Sequence, residues 1–479
     1  MKSFKPVFVS EVEGAADTQQ AANIEAVKSD ATSITTVEDP ISTGYRPIAS
    51  GHRVDRWLDA TARFAGSAPI FTLIVTGILA WASLGVHYGT SKAWVAAISD
   101  IQALLCYVFD TLLMRQLLRK HTEQRAAMVR IQSRSSSHQR MLLKVKARLG
   151  SAETQQISER CSREALQPFS RGVRDQTLFS RCIIFTAKRL GHVTTALLYW
   201  VCICVWLGFG PWCHCSNKWQ LYINDATSAL MVLIFAFLAC LRECHADYTT
   251  TYLDAIFRVD SVLESGLRAL TEDQAPNPVG IDKPIKENYL QNAIYYYATY
   301  NTWWLLIGTY AGLVGLFDSF VLRNVQSIVH QNNKSFIRKI ESLDEDLLRE
   351  LSLWIPAEQD VKAPSLTRRV SRKMDAISSH LLMVVAGFLM TVGCLTASSA
   401  MHCSLTGQLI SNVPPSVIET FMLILITGQN DAEAAARVDL TNIYYRRQRL
   451  LAFVKNVTGS RERQSEEVII NRETVSLGD

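Results

Sequence analysis

Seven runs of about 20 apolar residues constrain this chain more than any other feature of its sequence. They cover residues 68–87, 93–114, 191–210, 219–241, 303–322, 380–401 and 409–428. A helix of this length crosses the roughly 30 Å hydrocarbon layer of a bilayer. The last run qualifies although it contains Pro414 and Pro415, because membrane helices tolerate proline when neighbouring groups satisfy the freed backbone. The sequence therefore predicts an all-α polytopic membrane bundle built from helix pairs, rather than a soluble helical protein.

The distribution of charge predicts how these runs are oriented. Overall, 48% of the 479 residues are hydrophobic, 19% are charged and the formal net charge is +5. Residues 115–190, however, contain 17 Lys and Arg against 5 Asp and Glu. An excess of positive charge marks the cytosolic side of a membrane protein. We therefore expect a cytosolic N-terminus, short turns outside and the second run of each pair leading inward.

The polar connections complete the predicted organisation. The N-terminal segment lacks the short apolar core of a signal peptide and is predicted to be a disordered cytosolic tail. The predicted segments are a tail (1–67), helix pairs (68–114, 191–241 and 380–428), a single span (303–322), a basic loop (115–190), a loop with a truncated span (242–302), an amphipathic loop (323–379) and a C-terminal tail (429–479).

Several of the apolar runs are similar to one another. WVAAISD (94–100) lines up with WQLYIND (219–225), and GQLISN (407–412) is a weaker copy. FDTLLMR (109–115) likewise matches FDSFVLR (317–323). Internal repeats are common in transporters, which favours that class.

One predicted pair is incomplete. Before Trp303 the chain offers only AIYYYATY (293–300), which is about half of a membrane span. With seven spans, the loop 323–379 and its ten Lys and Arg would lie outside, against the charge rule. Either this pair has lost a helix, and the chain would then be a transport-inactive protein with an incomplete helix pair, or the sequence lacks a segment.

Five acidic residues lie within the apolar runs. They are candidates for function because placing a charged side chain in the bilayer is unfavourable in free energy. A charged side chain in the bilayer costs about 2.5 kcal/mol or more. The five are Asp100, Asp110, Asp225, Asp318 and Glu419, and a second oxygen donor, Ser99 or Asn224, precedes two of them. Oxygen ligands of this kind suit a hydrated divalent cation that is held loosely during transit. We therefore expect Asp100 and Asp225 to be the ion-binding carboxylates, with Glu419 as a third.

A structural role for the same acids remains open at this stage. They could cap broken helices, or Asp110 and Asp318 could pair with Arg115 and Arg323, which follow five residues later. The chain would then be a membrane scaffold or sensor, and a channel is a third possibility.

Two short outer turns contain soft and borderline metal donors. Cys213, His214 and Cys215 lie in one turn, and His402 and Cys403 lie in another. These residues predict either a weak metal-capture site or a disulfide between Cys403 and one of the other two thiols. Cysteines inside the apolar runs are expected to act as small hydrophobic residues.

The motifs of several functional classes are absent from this sequence. It contains no Walker A loop, no glycine-rich dinucleotide fingerprint and no HExxH motif. We therefore expect neither enzymatic activity nor a cofactor. The expected partners are the lipid bilayer and a divalent metal ion, with no nucleic acid, and the oligomeric state is left open.

Four long motifs together resemble one family. Residues 94–116 and 219–243, NTWWLLIGTYAGLVGLFDSFVLR (301–323) and VDLTNIYYRRQRLL (438–451) are similar to the fungal low-affinity iron permeases. The resemblance covers roughly residues 50–457, and it implies eight paired spans, cytosolic termini and plasma-membrane uptake of Fe(II), with Zn(II) and Cu also admitted. The chain departs from that pattern at residues 293–300. Because the resemblance supplies no metal ligands, the candidates above follow from depth and charge alone.

Overall fold

The computed structural model describes residues 53–88, 92–164, 166, 178–277, 311–354, 366–401, 405–427 and 430–476. These residues form twelve α-helices and contain no strand, as the sequence predicts. The helices are α1 (Arg53–Ala65), α2 (Ala68–Tyr88), α3 (Lys92–Leu149), α4 (Ser151–Arg163), α5 (Leu178–Leu190), α6 (Val193–Phe209), α7 (Asn217–Thr271), α8 (Ala311–Glu350), α9 (Leu366–Ser378), α10 (Leu381–Ala400), α11 (Leu405–Thr427) and α12 (Asn430–Ser476).

The long helices run without a break from apolar into charged sequence. α3 has 58 residues and α7 has 55, so each is about 80–90 Å long at 1.5 Å per residue. That is more than twice the thickness of the hydrocarbon layer. Residues 115–149 and 242–271, predicted to belong to separate loops, therefore continue the helices that begin in the apolar runs. The bundle therefore has an apolar half, which contains the apolar runs, and a charged half, which consists of residues 115–149 of α3, 242–271 of α7 and 324–350 of α8 together with α4 and α12.

Helices of the apolar half fall into a centre and a periphery. α3, α7, α8 and α11 pack against one another and bury residues such as Leu113, Phe235 and Leu423 completely. α2, α6 and α10 lie outside them and expose large apolar side chains, for example Leu79 and Leu389. The second helix of each pair therefore forms the core, while the first presents its apolar side chains outward.

Fewer helices meet the requirements for a membrane span than the sequence predicts. Among the described residues, α2, α7 and α10 are long and apolar enough, and α5 with α6 makes a fourth if this pair, bent by 62°, is one span. Of the other three predicted runs, residues 93–114 open α3 and residues 409–428 correspond to α11, where prolines and polar residues interrupt the apolar sequence. The run at 303–322 begins before the described part of α8.

Two predicted tails differ from the structure. Residues 53–65, assigned to a disordered tail, form the helix α1, while residues 1–52 lie outside the described part of the chain. The predicted C-terminal tail forms α12, in which Ile443, Leu450 and Phe453 are fully buried. Their apolar packing against α3 and α7 explains why this charged segment is ordered.

A fully buried arginine joins the four long helices in the charged half. The Arg447 guanidinium, from α12, lies 2.9 Å from an oxygen of Asp344 on α8 and 3.5 Å from one of Asp260 on α7. Its Nη1 donates to Nδ1 of His138 on α3 at 2.9 Å, and its Nη2 donates to the Ser135 hydroxyl. We call these five residues the arginine clamp.

The chemistry of His138 fits this arrangement. Burial first, and then the neighbouring positive charge of Arg447, keep the pKa of His138 well below its usual range. The ring is therefore neutral at pH 7 and its Nδ1 can accept the guanidinium hydrogen bond. Asp260, Asp344 and Arg447 are each fully buried, so their charges depend on one another for stabilisation.

We predict that Arg447→Met destabilises the protein by about 3–5 kcal/mol, because removing one partner leaves buried carboxylates uncompensated. Thermal unfolding of the purified protein in detergent measures the effect. The control is Arg258→Met, which breaks an exposed pair with Asp254 and should cost less than about 1 kcal/mol. Equal effects of the two substitutions would contradict the role of the clamp.

Candidate metal-ion pathway

The fold brings three of the five predicted acids together inside the apolar half. Asp110 of α3, Asp318 of α8 and Glu419 of α11 are all at least 95% buried. Their carboxylates are close enough for their charges to repel one another. We call these three residues the acid cluster. They come from three central helices that are distant in sequence, so only the tertiary fold places them together.

Glu419 is held against the backbone of a neighbouring helix. A Cβ atom added at Gly315 of α8 would overlap the Glu419 carboxylate. Gly315 precedes Asp318 by three residues, which places both on one face of α8. Neither carboxylate oxygen of Glu419 has a hydrogen-bond partner among the described residues. A buried carboxylate without such a partner is costly unless a cation or a proton compensates it.

The two arginines that follow the matching acids reach neighbouring short helices. Arg115 pairs with Asp59 of α1 at 2.7 Å, and Arg323 donates to the Ser378 hydroxyl of α9 at 2.9 Å. Among the described residues, Arg242 of α7 is a cation whose charge acts on Asp110. The repeated FD…R motif therefore combines an acid of the cluster with an arginine that fastens a peripheral element.

A second polar layer lies farther from the charged half. Asn412 of α11 donates to the side-chain oxygen of Asn224 on α7 at 3.3 Å. Both residues occupy the equivalent position in the similar sequences WQLYIND and GQLISN. Beside them, Asp225 is half-buried and its Oδ1 has no hydrogen-bond partner among the described residues. Two copies of one sequence motif thus meet in the bundle.

α11 connects the two layers. Asn412, Ser416 and Glu419 follow one another at spacings of four and three residues, so they share one face of the helix. Seven residues of helix separate the first from the last, a rise of about 10 Å. Polar side chains therefore continue from the asparagine layer to the acid cluster.

Charged residues continue this polar face toward the charged half. Lys120 of α3 lies 2.9 Å from a carboxylate oxygen of Glu433 on α12, and Arg437 contacts the ring of His245 on α7. Burial opposes ionisation of Glu433, but Lys120, His245 and Arg437 together lower its pKa to about 2. This carboxylate is therefore charged at physiological pH.

The remaining predicted ligands are not assembled by the described structure. The side chains of Ser99 and Asp100, like residues 402–404 with His402 and Cys403, lie outside the described part. Cys213, His214 and Cys215 are exposed in the turn after α6, and both thiols are free. No group of three or more His, Cys, Asp or Glu side chains in the described ranges is placed to hold a metal ion.

Three features of this region were not among the residues predicted from the sequence. Gly315 has no local signal, since only its approach to Glu419 gives it a role. Asn412 could have been found, because it aligns with Asn224 in the repeat. Arg242 ends the apolar run of α7, and its contact with the Leu113 carbonyl at 2.7 Å is visible only in the fold.

These elements define a helical multi-pass membrane protein with ionisable residues buried between its spans. The profile of the family described as "Low affinity iron permease" matches residues 367–475, which include α10, α11 and nearly all of α12. The resemblance to that family predicted from the sequence is thereby confirmed.

Two fungal proteins are similar over most of the chain. The "Low-affinity Fe(2+) transport protein" of Saccharomyces cerevisiae is 28% identical over 471 residues, covering 86% of this chain and 85% of the relative. The "Low-affinity iron/zinc ion transport protein" of Schizosaccharomyces pombe is 28% identical over 428 residues, covering 83% and 72%. No solved structure matches the chain.

We predict that Gly315→Ala lowers the apparent unfolding temperature by several degrees, because the added methyl group displaces the Glu419 carboxylate at a cost of about 1–3 kcal/mol. Gly393→Ala in α10 is the matched control, since a Cβ there meets no atom within 4 Å. The double variant Gly315→Ala/Glu419→Ala should recover stability relative to Gly315→Ala. If the double variant is no more stable than Gly315→Ala, the close packing of Glu419 against Gly315 is contradicted.

Proposed function

We propose that this protein takes up Fe(II) with low affinity across the fungal plasma membrane and also admits Zn(II) and Cu. The observation that carries the proposal is the acid cluster, which three central helices bury together between apolar spans. The similarity to two fungal proteins named for Fe(2+) and iron/zinc transport supports the choice of metal. The transported ion is the substrate, and the proposal includes no cofactor and no catalytic step.

The cation would first meet the asparagine layer. Amide oxygens of Asn224 and Asn412 and the carboxylate of Asp225 replace part of its hydration shell. It then moves about 10 Å along α11 to the acid cluster, where the negative charges of the carboxylates attract the doubly charged ion without forming a three-ligand site. Attraction in this poorly solvated region compensates the repulsion between the acids.

Release would follow on the side of the charged half. The pair formed by Lys120 and Glu433 lies there, between α3 and α12. An inward-negative membrane potential supplies about 2.3 kcal/mol per charge per 100 mV, which is enough to drive entry of a divalent ion. We assign the charged half and both termini to the cytosol, because residues 115–190 carry the largest positive excess. Both termini can lie on one side only with an even number of spans, so we propose the eight spans of the family pattern rather than the seven runs counted in the sequence.

We predict that Glu419→Gln lowers ferrous uptake at least tenfold, because the substitution removes one of three charges that stabilise the ion and keeps the side-chain volume. Asp110→Asn and Asp318→Asn should act in the same direction, and Asp225→Asn should reduce uptake less. The measurement is radioactive iron uptake in yeast cells that lack other iron transporters, with surface expression quantified.

The control for these substitutions is Asp254→Asn, which neutralises a partly exposed acid of the charged half. It should leave uptake within twofold of the unchanged protein. If Glu419→Gln transports as well as the control at equal surface expression, the acid cluster is structural. Background uptake by the unchanged protein would instead favour a scaffold or sensor.

We predict that replacing Cys213, His214, Cys215, His402 and Cys403 by Ala raises the apparent KM for iron several-fold and leaves the maximal rate unchanged. The exposed donors of Cys213, His214 and Cys215, together with His402 and Cys403, would concentrate metal at the entrance without taking part in transit. The test is uptake at low and saturating iron. An unchanged KM would rule out capture. If the maximal rate falls and added metal does not restore it, the alternative disulfide is favoured.

A further inference from the structure

Three short helices repeat the same arrangement ahead of three apolar helices. α1, α5 and α9 each have 13 residues, and each is followed by a two-residue break before α2, α6 and α10. The break between α5 and α6 bends the chain by 62°. A histidine caps the N-terminus of two of the following helices, His192 at α6 and His380 at α10. In each case the Nδ1 atom of the ring accepts a hydrogen bond from a backbone N–H of the helix. We call α1, α5 and α9 the collar helices.

The collar helices keep the register of the internal repeat. They begin at residues 53, 178 and 366, which are 125 and 188 residues apart. Trp94, Trp219 and Gly407, which open the similar motifs, have the same two separations. The collar is therefore part of the repeated unit and not an accidental surface feature.

Each collar helix exposes two large apolar side chains seven residues apart. They are Trp57 and Phe64 of α1 (65% and 62% exposed), Leu178 and Phe185 of α5 (78% and 60%), and Val370 and Ile377 of α9 (41% and 64%). A separation of seven residues is nearly two helical turns, so each pair lies on one face. Solvent-facing pairs of this size in all three copies indicate that something apolar covers them.

Basic side chains flank these apolar faces. Arg56 and Arg63 of α1, Arg181, Lys188 and Arg189 of α5, and Arg369 and Lys373 of α9 are all exposed. The guanidinium of Arg189 lies 5.2 Å from the centre of the Phe185 ring. The surface that covers the collar is therefore expected to combine apolar groups with negative charge.

The opposite faces of the collar helices are fastened to the bundle. Asp59 of α1 pairs with Arg115, and Ser378 at the end of α9 accepts from Arg323. In α5, Ile183 and Ala187 pack on α7. The exposed faces consequently point away from the core at fixed positions beside the ends of apolar helices.

We propose that α1, α5 and α9 lie in the membrane–water interface on the side of the charged half and bind a leaflet that contains anionic lipid. A helix with exposed aromatic or aliphatic residues beside Lys and Arg inserts its apolar face at the headgroup boundary. Anionic headgroups attract the flanking basic residues. The continuity of each collar helix with an apolar helix two residues later places it at this boundary. The inference does not depend on the transported ion.

The test is hydrogen–deuterium exchange of the full-length protein in vesicles, without metal. One set of vesicles consists of phosphatidylcholine alone, and the other contains about one third phosphatidylserine. We expect amides of residues 53–65, 178–190 and 366–378 to exchange at least threefold more slowly in the anionic vesicles. High salt should reverse much of the difference, because it screens charge. Peptides from residues 449–457 of α12, which pack against α4 in the charged half, provide an internal control.

A paired variant locates the contact. Phe64→Ser/Phe185→Ser/Ile377→Ser should abolish the slower exchange in anionic vesicles, whereas Val262→Ser, which changes an exposed apolar residue of the charged half, should preserve it. Equal exchange in the two kinds of vesicle for the unchanged protein would overturn the proposal. The proposal would also be overturned if exchange slowed only after a cytosolic protein fraction was added, because the exposed faces would then bind a protein partner. Neither readout requires transport, so failure of the proposed uptake would be recognised separately.

Discussion

The structure depends on how unfavourable ionised groups are in a poorly solvated interior. Asp110, Asp318 and Glu419 are buried among apolar helices, where ionised carboxylates would repel one another unless a cation or a proton compensates them, so other contacts must hold their helices in place. Continuous helices make this possible, because α3, α7 and α8 extend from the acid cluster into the charged half, where α12 joins them. There Arg447 links all four by contacts with buried acids and His138. Opposed charges in one half stabilise helices that carry like charges in the other.

The internal repeat gives this arrangement an economical explanation. The first helix of each pair faces outward with exposed apolar side chains, and the second helix carries the polar residues into the centre. Equivalent positions then meet, as Asn224 and Asn412 do. The arginines of the two FD…R motifs extend the pattern, since Arg115 and Arg323 fasten collar helices while the acids five residues earlier enter the cluster. One repeated segment thus serves both the polar route and the attachment of the periphery.

The sequence predicted the features that are local and missed those that join distant segments. Apolar runs long enough to cross a bilayer can be recognised residue by residue, so the helical class followed from them. The three acids of the cluster were among five candidates, but the sequence favoured Asp100, Asp225 and Glu419 and did not show that Asp110 and Asp318 join Glu419. The continuation of α3 was also visible in principle, because residues 115–149 contain neither Pro nor Gly, yet their charge was interpreted as a loop. By contrast, the contact of Arg447 with Asp260 joins residues nearly 190 positions apart, and the close approach of Gly315 to Glu419 joins two helices. Neither has a periodicity or motif that local reasoning can detect.

The central claim is that the buried carboxylates act as one cation-binding unit, and a double-mutant cycle tests it most directly. Initial rates of ferrous uptake would be compared for Asp318→Asn, Glu419→Gln, the double variant and the unchanged protein at equal surface expression. If both side chains bind the same ion, the double variant should transport at about the rate of the worse single variant. A tenfold departure from the product of the two single losses corresponds to a coupling free energy of at least about 1.4 kcal/mol between the two side chains. Losses that simply multiply would show that the two acids act independently and would contradict a shared site.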